Sequence, residues 1–209
     1  MIIPALLTED IEKLNSMIQL CSVFTDYVQI DIMDGEFVPS KSISLSDLKN
    51  LKSSIRSEAH LMVTDPLEWL DAFKEIGSER IIYHYEIDKD HSQIISQIKA
   101  KGFKVGIAVN PETKISEFSN LLPQIDTVLF LSVNPGFYGA TFIPEVLDKM
   151  KDFKGAYPEK NIGIDGGMKL TNVANARKAG ADYICVGSAI LKSDNPQQAY
   201  ENLLKVING

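Results

Sequence analysis

Eight short apolar runs rich in β-branched residues begin near positions 2, 27, 56, 80, 104, 127, 161 and 183, and most intervals between them hold one amphipathic stretch of helical length. Helical periodicity falls at residues 11–24, 45–51, 66–76, 92–101, 115–122, 143–157, 170–179 and 197–206. Several ends are marked. Pro66 suits a first turn, Thr171 or Asn172 a cap, and Gly77, Gly102 and Gly180 each follow a helix where left-handed backbone closes it. This alternation predicts an α/β chain folded as a (β/α)₈ TIM barrel, one domain over residues 1–209. An open doubly wound sheet is the competitor. Closure is favoured because polar residues recur on one face of several strands, whereas a sheet covered by helices on both sides reads as more uniformly apolar.

One interval, from 127 to 161, is longer than the rest, and its surplus follows the sixth strand as Asn134-Pro135-Gly136-Phe137-Tyr138-Gly139-Ala140-Thr141. A long glycine-bearing loop at that end of a barrel predicts a lid. The polar strand positions cluster at the same end. In Tyr27–Asp34 and in Asn161–Asp165 the period-2 rule sets Val28, Ile30 and Ile32, or Ile162 and Ile164, on one face, so Asp31 and Asp165 point to the other, Asp31 together with Gln29. A carboxylate turned into a sheet interior is costly unless it is partnered. Either aspartate alone could simply cap the turn that follows it; two at strand ends, each followed by a glycine turn, predict an active site. His60, opposite Leu61 and Val63 in the third strand, falls beside Asp31. The fourth strand ends Tyr83-His84-Tyr85-Glu86, a polar pair that supports the neighbouring shell, while His91 reads as part of a solvated loop.

Composition narrows the partners. The 209 residues are 44% hydrophobic, enough for one sizeable core, and carry a net charge of −7 with a pI near 5.0. No basic face invites nucleic acid or an anionic membrane. The apolar start Met1–Leu7 lacks a basic region and meets Thr8-Glu9-Asp10 too soon for a secretion signal, and no run approaches the ~18 residues of a membrane span, so a cytoplasmic location is expected. Cys21 and Cys185 lack metal-ligand spacing and read as reduced, buried small residues. An anionic ligand must therefore be held locally. Gly166 and Gly167 after the seventh strand, Gly187 and Ser188 at the start of a short helix after the eighth, and Gly136 in the long loop supply backbone N–H groups, which predicts a barrel of the phosphate-binding type.

These motifs, Asp31-Ile32-Met33-Asp34-Gly35 with Phe37-Val38-Pro39, His60-Leu61-Met62-Val63, His84-x-Glu86, Asn110-Pro111-x-Thr113, Ser132–Phe137, Asp165-Gly166-Gly167 and Gly187-Ser188-Ala189-Ile190, run co-linearly through nearly the whole chain. In that order they resemble the ribulose-phosphate 3-epimerase family. The resemblance implies an isomerase that inverts the carbon next to the ketone of a phosphorylated sugar, typically interconverting ribulose 5-phosphate and xylulose 5-phosphate. It implies that Asp31 and Asp165 act as acid and base on opposite faces of a planar enediolate, since one group removes the C3 proton and the other returns one to the far face. It also implies a divalent metal (Zn, Fe, Mn or Co) held through two histidines and the same aspartates, no organic cofactor, and a homo-oligomer.

The chain departs from the pattern around that metal. Gln29 stands for the first metal histidine, leaving Asp31, His60 and Asp165 as ligands, and Ala5 stands for a serine. Glu36 replaces a histidine and Leu131 a methionine, while Tyr138 and Ala140 stand in the lid for glycine and glutamine. An amide oxygen is a poorer ligand than imidazole, so weaker metal binding is expected. Three functions are left to distinguish: a pentulose-phosphate 3-epimerase, a relative acting on a hexulose 6-phosphate, and a sugar-phosphate-binding barrel that has lost metal-dependent turnover. A decarboxylase or Schiff-base aldolase lacks support, because no lysine lies between Asp31 and Asp34 and no interior strand-end lysine is evident.

Overall fold

A computed structural model describes residues 1–51, 55–136 and 141–209. Residues 137–140 of the expected lid, with Tyr138 and Ala140, lie outside the described residues. Eight parallel strands form a closed barrel in chain order: β1 Ile2–Leu6, β2 Tyr27–Met33, β3 Arg56–Met62, β4 Arg80–His84, β5 Lys104–Val109, β6 Thr127–Leu131, β7 Asn161–Asp165 and β8 Tyr183–Val186. Each begins where its apolar run begins, and closure excludes the open-sheet alternative. The helices are α1 Ile11–Cys21, α2 Leu45–Leu48, α3 Leu70–Glu75, α4 His91–Ala100, α5 Ile115–Phe118, α6 Val146–Ala156, α7 Val173–Lys178, α8 Ser188–Leu191 and α9 Pro196–Asn208.

Local signals account for the helix ends. Asp10 accepts from the N–H groups of Glu12 and Lys13 at the start of α1, and Ser44 with Asp47 forms a capping box on α2. Gly77, Gly102 and Gly180 take positive φ after α3, α4 and α7. Two helical stretches are shorter than their periodicity suggested, because 3₁₀ turns at Pro66–Trp69 and Ser119–Gln124 take up part of each. His91 corrects a reading. It is the first residue of α4, behind the Asp90 cap, and its ring stacks on Tyr85 at 5.0 Å, so it is packed rather than part of a solvated loop.

Alternation divides each strand between two cores. Val28, Ile30, Ile32, Leu61, Ile107, Ile162 and Ile164 face outward and pack under the helices. Ile3, Ala5, Ile82, Ala108, Leu129 and Cys185 face inward. The lower interior is closed by Tyr27, Glu58, Arg80, Thr127 and Tyr183: Arg80 Nη1 reaches Glu58 Oε2 at 3.1 Å and its guanidinium lies over the Tyr183 ring. Gly163 makes room for that ring, since a Cβ there would overlap it. This polar, aromatic layer lies at the end of the barrel away from the strand C-termini, so it stabilises the scaffold on which the mouth is built.

The tightness of that layer is testable. Gly163→Ala forces the Tyr183 ring off its site and should cost about 1–3 kcal/mol of stability in urea unfolding. An unchanged unfolding midpoint would show that the layer has slack to absorb a methyl group.

Candidate active site at the barrel mouth

Parallel register places the polar groups before any side chain turns. Asp31 pairs with His60, and Gln29 with Glu58, across β2 and β3, so all four face inward. Asp165 ends β7, three strands away around the ring, and only a narrow barrel lets its side chain meet those from β2.

They meet through Gln29. Its Nε2 donates to Asp31 Oδ1 at 2.8 Å and to Asp165 Oδ2 at 2.7 Å. Its Oε1 accepts from the Cys185 thiol at 3.0 Å, and the amide is fully buried. The reverse orientation would set a carbonyl oxygen against two carboxylates, so the charges decide which way the amide points. His60 completes the cluster: Nδ1 stands 3.1 Å from Asp31 Oδ1 and 3.4 Å from Asp165 Oδ2, and Nε2 stands 3.1 Å from His84 Nε2. His84 Nδ1 in turn lies 3.2 Å from Glu86 Oε2.

This arrangement separates the two aspartates electrostatically. Burial raises the Asp31 carboxyl to about 6, with the nearby charge of Asp165 adding to it, against opposing hydrogen bonds from His60 and Gln29. Burial pushes Asp165 the same way, yet the hydrogen bond and charge of His60, the Gln29 amide and the Gly166 N–H outweigh it and leave the group below the usual carboxylate range. For His60 burial favours the neutral ring, but both carboxylates raise it to about 9. The pair titrates as a unit, with Asp31 its more readily protonated member.

Asp31, His60 and Asp165 each offer a ligand atom within 4.8 Å of one another, which suits a divalent ion. Gln29 aims two N–H hydrogens, not its oxygen, at the same point. Asp34, three residues past Asp31, holds the turn instead: its carboxylate accepts from the N–H groups of Glu36, Phe37 and Thr64. Turn capping thus belongs to Asp34 and not to Asp31. Cys185 is more than a buried small residue, and its alternation with Tyr183 and Gly187 puts it on the inward face. Nothing in the strand pattern shows that a thiol there orients an amide on β2.

The glycines do not all gather at one place. Gly166 and Gly167, at positive φ, pack on Val133 and Phe142 after β6, and Gly187 opens α8. Gly136 packs against Val38 and Pro39, and its carbonyl accepts from Ser40 Oγ at 2.6 Å. Ser132, where the same loop leaves β6, donates to the Asp165 and Gly166 carbonyls at 3.0 and 2.7 Å. Residues 132–136 therefore run from beside β7 to the segment after β2.

The sequence model described as the ribulose-phosphate 3 epimerase family matches residues 1–191. A ribulose-phosphate 3-epimerase of Schizosaccharomyces pombe is 32% identical, over 97% of this chain and 91% of the relative. The cytoplasmic isoform of that enzyme from Oryza sativa subsp. japonica is 31% identical over 100% and 94%, and the Mycobacterium leprae enzyme 32% over 95% and 91%. Among solved structures, 3-hexulose-6-phosphate synthase from Salmonella typhimurium superimposes with a TM-score of 0.72 at 17% identity, over 99% of this chain and 98% of that one. Orotidine 5'-phosphate decarboxylase from Pyrococcus horikoshii gives 0.66 at 20%, over the full length of both chains, and at such identities the likeness is one of fold. With the family's sequence pattern running through the whole barrel, this chain belongs to the ribulose-phosphate 3-epimerase family.

Proposed function

We propose that this chain inverts C3 of a phosphorylated ketose, with ribulose 5-phosphate and xylulose 5-phosphate as the substrate pair, by proton transfer through Asp31 and Asp165. The observation that carries the proposal is the pair itself: a buried and a part-buried carboxylate, joined through one amide, whose proton affinities are pushed in opposite directions. Inversion needs one group able to accept a proton and one able to supply it. In the resting site Asp165 suits the base and Asp31 the acid, and the roles exchange for the reverse reaction. The names of the relatives support the substrate, and the cytoplasmic isoform among them supports a cytoplasmic location. Among the described residues no helix is long and apolar enough to cross a membrane.

Asp31, His60 and Asp165 would hold a divalent ion, which when bound supplies Lewis-acid stabilisation of the enediolate oxygens. The chain itself orients both carboxylates through Gln29 and keeps a positive or hydrogen-bonding group between them through His60. The phosphate lies against the N–H groups of Gly166, Gly167, Gly187 and Ser188, with Gly136 closing over the mouth. A Cβ at Gly187 would meet the Ala5 carbonyl at 3.4 Å, ordinary contact, so the glycine is not needed for packing alone.

Asp31→Asn and Asp165→Asn should each lower epimerisation by about 10²–10⁴-fold or more, while one variant still exchanges the C3 proton of a single epimer with solvent deuterium. Full turnover by both variants would remove the two-carboxylate assignment. Running the exchange assay on hexulose 6-phosphates alongside the pentulose phosphates decides the substrate length.

Gly187→Val should weaken binding of a sugar phosphate by roughly tenfold, about 1.4 kcal/mol, in a barrel that still folds. Unchanged affinity would place the phosphate elsewhere.

Chelator should strip any divalent ion from the natural protein, and the Ala5→Ser, Gln29→His double variant should retain it better and turn over faster. Elemental analysis after gel filtration decides this, and stoichiometric metal surviving in the natural protein would contradict it. In the chelated protein the His60 imidazolium is stabilised by Asp31 and Asp165. Its contribution to stability is fully present below the unfolded value of 6.5 and is lost as pH rises through about 9. The urea midpoint should fall across that window, and fall less in His60→Gln.

A further inference from the structure

We propose that Glu86 and His84 are positioning residues that fix which way the His60 ring shares its hydrogens, so that its Nε2 hydrogen is given to His84 and its Nδ1 is the atom left to face Asp31 and Asp165, as an N–H in the metal-free site and as a lone pair available to a divalent ion. This rests on the reading of Asp31, His60 and Asp165 as the site, and it assigns a task to two motifs, His84-x-Glu86 and Asn110-Pro111-x-Thr113, that the chemistry above does not use.

The order of hydrogens follows from the partners. Glu86 Oε1 accepts from the Asn110 N–H at 2.8 Å and from the Thr113 hydroxyl, which marks the carboxylate as an acceptor. Its Oε2, 3.2 Å from His84 Nδ1, therefore calls for a hydrogen on that nitrogen. A neutral His84 so held has a bare Nε2. That atom faces His60 Nε2 at 3.1 Å, and two bare nitrogens would repel at such a distance, so the hydrogen between them is supplied by His60. His60 is left with Nδ1 as its other ring nitrogen, and Nδ1 is the atom turned to both aspartates, where its hydrogen bonds the carboxylates in the metal-free site and its lone pair would serve a divalent ion.

The chain of contacts is built to hold. His60 and His84 are 1% and 0% exposed, their rings stack at 5.2 Å, and Phe37 covers His84 at 4.8 Å, so water cannot offer either ring a substitute partner. The 110–113 turn that grips Glu86 is itself fastened by Lys149, whose Nζ donates to the carbonyls of Asn110, Pro111 and Thr113 at 2.8, 3.1 and 2.8 Å. The line from α6 through the β5 loop and β4 to β3 thus ends on one nitrogen of the site. Hydrogen-bond partners beyond the ligands orient a histidine and tune its basicity, and removing one costs metal affinity about 10–100-fold.

The test is a two-bond ¹H–¹⁵N correlation spectrum of the uniformly ¹⁵N-labelled protein, with and without Zn²⁺, paired with Zn²⁺ titration calorimetry on the parent and on Glu86→Gln. Expected are a hydrogen on Nε2 of His60 and a bare Nε2 on His84 in the parent, in both states. Glu86→Gln, whose amide can donate as well as accept, should give mixed His84 tautomers and bind Zn²⁺ about 10–100-fold more weakly. A hydrogen on Nε2 of His84 in the parent overturns the proposal, as does a folded Glu86→Gln with parental spectra and affinity. Should that variant fail to fold, the parent spectrum decides alone. None of these readouts needs turnover, so an inactive protein with the expected tautomers would sink the epimerase reading and leave this one standing.

Discussion

The mouth of this barrel is organised around the repulsion between two carboxylates, Asp31 buried and Asp165 part-buried. Unit charges with oxygens inside 4.8 Å of each other oppose one another by roughly 3–4 kcal/mol at an effective dielectric near 20, on top of the cost of drying each one. Gln29 answers this with a single nitrogen that carries two hydrogens, one for each aspartate. His60 answers it with a nitrogen set between the same two oxygens. Each has a partner behind it, the Cys185 thiol behind the amide and the His84–Glu86 pair behind the ring. The outcome is asymmetric: the carboxylate with the stronger partners stays anionic, and its neighbour holds a proton more readily.

Scaffold and site are divided along the barrel axis. The lower layer, with its Glu58–Arg80 pair and the Tyr183 ring fitted over Gly163, fixes the spacing of the strands. The upper layer uses that spacing, since β2 and β7 bring side chains together only if the ring between them stays narrow. The segment 132–136 after β6 adds a second tie, fastened at Ser132 and at Gly136. Its apolar neighbours Met33, Val38 and Met62 line the other side.

Three of the departures that the sequence resemblance points to, Ala5, Gln29 and Leu131, occupy positions beside the two aspartates. Ala5 is the register partner of Gln29 on β1 and β2, and Leu131 is the register partner of Asp165 on β6 and β7. With a small residue at Ala5 and a thiol at Cys185 beside it, the amide of Gln29 has room and a partner to hold one orientation.

The strand starts, the inward face of each strand and the pairing of Asp31 with His60 follow from alternation and helix-length spacing, because a period of two and a barrel interior leave a side chain only one other face to take. Gly77, Gly102 and Gly180 were legible for a similar reason: the left-handed backbone after a helix is a local need that glycine meets. Helix lengths were less so, since the 3₁₀ turns at Pro66–Trp69 and Ser119–Gln124 depend on how each segment packs. His91 looked like loop because its charged neighbours hid a cap and a stacking partner. What tertiary structure alone decided is how groups from distant strands meet: that Gln29 turns nitrogen rather than oxygen inward, that Cys185 holds it there, and that Glu86 reaches Asp31 through two histidines. The chain determines which face each residue takes, one strand at a time. Which hydrogen faces which oxygen is settled only when β2, β3, β4, β7 and β8 close into one ring and their charges must be balanced together.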